Sequence, residues 1–119
     1  MRLSEHFDSS EFACRCGCDY KDFGADVSKA LVKVLEKIRD ACGGVPLEIS
    51  SGVRCPRHNR DVGGVENSQH VFGTAADIIC PEGLTPLELA MIAEDCGADG
   101  IGIYSDFVHI DMRGYPARW

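Results

Sequence analysis

Ile101-Gly102-Ile103-Tyr104-Ser105-Asp106-Phe107-Val108-His109-Ile110-Asp111-Met112 decides what kind of sheet this chain builds. Ile101–Tyr104 and Phe107–Met112 have the composition of short strands, and Ser105-Asp106 between them is turn chemistry, so the stretch predicts a β-hairpin. Side chains on a strand alternate between faces, which sets Val108, Ile110 and Met112 on one side and Phe107, His109 and Asp111 on the other. The first set is a core face. The second carries an imidazole and a carboxylate, which suit a cleft or solvent.

Working back along the chain, Thr85-Pro86-Leu87-Glu88 is a capping box with proline at the first helical position, a strong helix start. Leu87, Ala90 and Met91 are the expected apolar face of that helix, and Gly97 ends it. Thr74–Cys80 predicts a buried strand carrying Asp77, followed by a turn at Pro81-Glu82-Gly83. Leu47-Glu48-Ile49-Ser50 predicts another short strand, and residues 57–62 a short helical turn broken by Gly63-Gly64. Val27, Leu31, Val34, Leu35 and Ile38 fall on one face at helical spacing until Gly43-Gly44. Residues 1–25 are a loop-rich entry segment with Phe7, Phe12, Tyr20 and Phe23 as expected anchors. Strands and helices mix without a regular βαβ rhythm, which predicts an α+β fold: a small, largely antiparallel sheet with flanking helices.

The chain has 119 residues, 45% hydrophobic and 26% charged, so one domain over 1–119 with an ordinary core is expected. A net charge of −7 argues against nucleic acid and anionic membranes as partners and favours a neutral or peptide substrate. No apolar run reaches the roughly 18–20 residues that span a bilayer. The polar start Met1-Arg2-Leu3-Ser4-Glu5-His6 has no signal-peptide core, so synthesis in the cytoplasm is expected, with delivery by other means if the substrate lies outside.

Seven cysteines is a high and odd number for this length. Cys42, Cys80 and Cys96 fit small buried hydrophobes. Cys14-Arg15-Cys16-Gly17-Cys18 is different: three clustered thiols could serve a structural metal, with Cys55 or His58 completing four ligands. A disulfide to Cys55 and plain reduced thiols remain open.

His70, Asp77 and His109 carry the candidate chemistry. Two imidazoles and a carboxylate are the protein half of a catalytic zinc site, with a fourth position for water. Asp77 lies in Ala75-Ala76-Asp77-Ile78-Ile79, where a carboxylate is costly to bury unless paired or metal-bound. Taken singly, each is equally a loop histidine, a salt-bridge aspartate or a half-buried surface group; the joint pattern favours a metal.

Ser68-Gln69-His70-Val71-Phe72-Gly73-Thr74-Ala75-Ala76-Asp77 followed by His109-Ile110-Asp111 resembles the zinc D-Ala-D-Ala carboxypeptidases and the related phage endolysin peptidases, the M15 group. Ser51-Gly52-Val53-Arg54, Asn59 and Gly63-Gly64 extend the match, which covers roughly residues 25–119 and looks closest to compact single-domain members. The resemblance implies a hedgehog/DD-peptidase fold and one catalytic Zn2+ on His70, Asp77 and His109. It implies Asp106, three positions before His109, as general base, and Arg54 as the group that polarises the scissile carbonyl or holds the substrate carboxylate. Ser68 would bind substrate or orient its loop, and Asp111 could fix the His109 tautomer. The simpler alternatives are a turn aspartate for Asp106, a surface arginine for Arg54 and a solvated strand residue for Asp111. His6 and His58 are assigned no part. The expected enzyme is a monomer that hydrolyses peptidoglycan stem peptides at a bond involving D-amino acids, without nucleic acid or membrane insertion. A phage lysis or tail-associated enzyme, or a bacterial cell-wall enzyme, fits that description. Its rivals are a non-catalytic zinc domain like the hedgehog signalling domain and a virion protein that recognises peptidoglycan without cutting it.

Overall fold

A computed structural model describes residues 1–119. Five strands form one sheet in the order β1-β2-β4-β3-β5: β1 (Ile49–Ser51), β2 (Ala75–Ile79), β3 (Gly100–Ile103), β4 (Phe107–Asp111) and β5 (Ala117–Arg118). The pairings β1–β2, β2–β4 and β3–β4 are antiparallel and β3–β5 is parallel, so the largely antiparallel α+β sheet holds. The hairpin closes where the turn residues stand, with the Tyr104 amide donating to the Phe107 carbonyl.

Two helices cover one face. In α2 (Lys29–Ala41) the Ser28 side chain caps the Leu31 amide, and Leu31, Leu35 and Ile38 are fully buried. In α4 (Pro86–Asp95) the capping box forms as the sequence predicts: Glu88 N–H donates to Thr85 Oγ1 at 3.1 Å and Thr85 N–H to Glu88 Oε1 at 2.9 Å. These helices pack on Ile78, Ile101, Val108 and Ile110, the core face of the sheet. Leu35→Ala, in a site with no exposure, should cost about 2–5 kcal/mol. A lower urea midpoint at unchanged slope checks it.

The apolar face of α4 differs from the expectation. Leu89, Ala90 and Ala93 are buried, whereas Leu87 and Met91 are exposed beside Ile101 and Ile103 at the outer edge of β3. The helix is apolar on more than one side, and only packing against α2 and the sheet selects the inward residues. Phe23 also departs from its expected role, at 58% exposure. It ends α1 (Tyr20–Phe23), a single turn in which Lys21, Asp22 and Phe23 all have positive φ, and that backbone turns the ring outward. Phe7 and Phe12 are buried as anchors, and the Tyr20 hydroxyl donates to the Val71 carbonyl at 2.8 Å. Cys42, Cys80 and Cys96 pack against the core from partly exposed positions, so they are edge residues and not fully buried ones. No helix is long and apolar enough to cross a membrane.

Candidate functional site

The face of the sheet turned away from the helices carries the chemistry. Asp77 on β2 and His109 on β4 are direct antiparallel partners, and Gly102 on β3 stands opposite His109 on its other side. Cross-strand partners share a face, so register alone brings the Asp77 carboxylate to the His109 ring. His109 Nδ1 lies 3.1 Å from Asp77 Oδ1. His70 arrives from the loop before β2, 2% exposed, with Nε2 3.2 Å from the same oxygen. The three ligand atoms lie within 4.8 Å of one another. Ligand atoms about 2.0–2.1 Å from a tetrahedral zinc ion are about 3.4 Å apart, which this set matches.

The surrounding hydrogen bonds fix which ring nitrogens carry protons. His70 Nδ1 is 2.7 Å from the Gly52 carbonyl, which can only accept, so Nδ1 carries the proton. His109 Nε2 is 2.8 Å from Asp111 Oδ2, and that carboxylate is held ionised by Arg113 through Nε at 2.9 Å and Nη2 at 2.7 Å. In their neutral forms the rings would turn two lone pairs onto a carboxylate oxygen that also offers only lone pairs. Such a buried cluster needs either two further protons or one cation, and the donor set of two imidazoles and a carboxylate suits zinc. Burial opposes charge on His109, but hydrogen bonds to Asp111 and Asp77 outweigh it and hold the imidazolium pKa above its ordinary value. Burial likewise opposes ionised Asp77, yet the two histidines hold its pKa well below the usual carboxylate range.

Arg54 leans over the site with Nη2 3.8 Å from Asp77 Oδ2. Asn59, 2% exposed, accepts from Arg54 Nη1 at 2.9 Å and donates to the Val65 carbonyl at 2.7 Å, so it sets the guanidinium. A side chain at Gly64 would collide with the Asn59 amide and with Arg54 Nη1, which gives the Gly63-Gly64 turn a reason. Ser68 Oγ accepts from the His70 amide at 3.2 Å, orienting the loop. Asp111 has no exposed surface and bridges His109 to Arg113; it is not a solvated strand residue.

Asp106 stands at the turn before β4, next to Phe107 of the cleft lining. It is exposed at the hairpin tip, its carbonyl accepts from the Cys80 amide, and it stands outside the lining of the cleft. Strand alternation turns Phe107 and His109 inward and leaves the tip residue beyond them. His58 and His6 are elsewhere, His6 on Glu36 at 2.7 Å.

The triad lies in a cleft of about 800 Å3 that also includes Phe72, Tyr104, Tyr115, Arg113 and Trp119. Trp119 Nε1 donates to the Tyr104 hydroxyl at 2.8 Å, and its ring lies 5.0 Å from that of His109. A Cβ on Gly102 would meet the indole at 2.5 Å, so this wall needs glycine on β3. Sequence reasoning singled out neither Arg113 nor Trp119. Arg113 carried a signal: a cation two residues after an inward aspartate.

A family model described as peptidase M15 matches residues 5–111, so the likeness begins before the Cys14–Cys18 stretch and not near residue 25. The zinc D-Ala-D-Ala carboxypeptidase of Streptomyces albus G is 35% identical over 72 residues, 54% of this chain and 28% of that protein. The match thus spans less than a third of the relative's length.

Proposed function

Because the chain belongs to the peptidase M15 family, we propose that it is a zinc-dependent peptidase acting on peptidoglycan stem peptides at a bond involving a D-amino acid. The observation that carries this reading is the convergence of two buried imidazole nitrogens, His70 Nε2 and His109 Nδ1, on the Asp77 carboxylate in an open cleft. The relative's name supports zinc and a D-Ala-D-Ala substrate. His70, Asp77 and His109 would hold the ion, which supplies a Lewis acid that polarises the carbonyl and lowers the pKa of a water to about 7. Arg54 brings a fixed positive charge to the same side of Asp77, where an oxyanion develops as the carbonyl is attacked. Arg113, clamped by Asp111, adds a second cation, and a cleft with two guanidiniums suits a substrate carboxylate. Tyr104, Tyr115 and Trp119 supply apolar walls for the peptide. Two guanidiniums that could take a terminal carboxylate favour a carboxypeptidase over an endopeptidase.

Digestion of purified muropeptides, followed by mass spectrometry, tests the reading. Release of one terminal D-alanine supports a carboxypeptidase, and separation of cross-linked dimers an endopeptidase. Intact muropeptides after incubation with the zinc-loaded protein would overturn both. Arg54→Ala should lower kcat/KM by about 10²–10³, the usual cost of one oxyanion donor. A second reading, a zinc-binding module that recognises the peptide without cutting it, draws support from the cleft lining, whose only carboxylate is Asp77. Asp106→Ala bears on this point. With Asp106 as the general base that the family resemblance implies, the variant loses hydrolysis and keeps its zinc; activity close to wild type would take the proton-transfer role from Asp106.

A further inference from the structure

The family's zinc triad leaves the cysteine segment without a role, and the fold gathers it. Cys14, Cys16 and Cys18 lie in a stretch without regular structure, and Cys55 is the N-cap of α3 (Pro56–Asp61). The four Sγ atoms lie within 4.8 Å of one another, with Cys14–Cys16 at 3.4 Å and Cys16–Cys55 at 3.7 Å. Four thiolates about 2.3 Å from a tetrahedral zinc ion are about 3.8 Å apart. Disulfides gather sulfurs in pairs, whereas Cys16 here touches two others at once.

The backbone is arranged for thiolates. The Cys55 amide donates to Cys14 Sγ at 3.4 Å and the His58 amide to Cys55 Sγ at 3.3 Å. Gly17, at φ +84°, makes the tight turn that folds Cys18 back toward the other sulfurs. We propose that Cys14, Cys16, Cys18 and Cys55 form a second, structural zinc site that fastens the N-terminal segment to the loop carrying Arg54. Four thiolates in a tetrahedral set select zinc or another soft cation over calcium or magnesium.

The site sits where the fold needs it. Phe12 and Val53 are joined by one backbone hydrogen bond at 2.8 Å, and a Cβ on Gly52 would meet Phe12 at 2.6 Å, so the two segments lie against each other with no regular structure to lock them. Cys55 directly follows Arg54, and the Gly52 carbonyl orients His70. An ion on the cysteines therefore holds the frame of the cleft without entering it. His58 is not required as a ligand.

Zinc per chain, measured by mass spectrometry of protein purified without chelator, decides the matter independently of any peptidase activity. Wild type should carry two equivalents. Cys16→Ser/Cys18→Ser should carry one, and His109→Ala should carry one that gives thiolate-to-cobalt charge-transfer absorption after cobalt substitution. A single equivalent in wild type that disappears in His109→Ala would overturn the proposal. So would non-reducing peptide mapping that finds these cysteines in disulfides. If the double serine variant does not fold, the wild-type count and the cobalt spectrum of His109→Ala still give the answer.

Discussion

His109→Ala should abolish hydrolysis of muropeptides and remove one zinc equivalent while the chain stays folded. His109 faces the cleft, not the helices, and its replacement leaves Val108 and Ile110 in the core untouched. Losing one of three ligands exposes Asp77 to the single remaining imidazole, and zinc affinity falls with it. Metal polarisation contributes several kcal/mol to the transition state, so a rate loss of roughly 10³-fold or more follows. Zinc analysis, circular dichroism and the muropeptide assay on one preparation check it. A variant with full zinc content and most of its activity would end the triad assignment.

Asp111→Ala should be the more damaging change to the molecule as a whole. It leaves the Arg113 guanidinium without its carboxylate and the His109 Nε2 proton without an acceptor, in a place where Asp111 itself has no exposure. Arg113 reaches the open cleft and water can take up part of its charge, so the change costs less than the about 3–5 kcal/mol of a fully buried pair, and losing the group behind a metal-binding histidine costs about 10–100-fold in metal affinity. Thermal unfolding with and without added zinc separates the two effects: the zinc-free midpoint reports the first, and the shift on zinc addition the second. Asp111→Asn should recover part of both, because its amide oxygen can still accept from His109. If the alanine variant melts with wild type, the bridge is incidental. Gly100→Ala offers a second route to the same bridge, since its Cβ would collide with the Asp111 carboxylate without removing the charge.

Those two residues were legible in the sequence for one physical reason. Alternation on a strand is strict, so Val108 and Ile110 as core residues force His109 and Asp111 to the other face. The same rule does not reach Asp106, one residue before β4 in a turn, whose role as general base rests on the resemblance alone. β5 also escaped notice: two residues, Ala117 and Arg118, carry no period, and their parallel pairing with β3 is set by the sheet edge alone. Trp119 follows it into the cleft wall. The face of α4 was misassigned because Leu87 and Met91 are as apolar as Leu89, and only tertiary packing ranks them. Arg54 could be singled out only by resemblance, since its position depends on Asn59 and on the space left at Gly64.

The pairing of Asp77 with His109 across β2 and β4 has a consequence for the order in which the molecule assembles. These residues are 32 positions apart, and His70 joins them only when its loop has closed over the sheet. A nascent or unfolded chain offers no such site, because the strands must first find their register, and a slip of one residue would turn Asp77 and His109 to opposite sides. Metal capture there would therefore follow strand pairing. Three of the four cysteines, by contrast, lie within five residues and can collect an ion before anything else has formed. The same chain would then use one ion early, to organise its first segment, and one late, admitted only by a correctly paired fold.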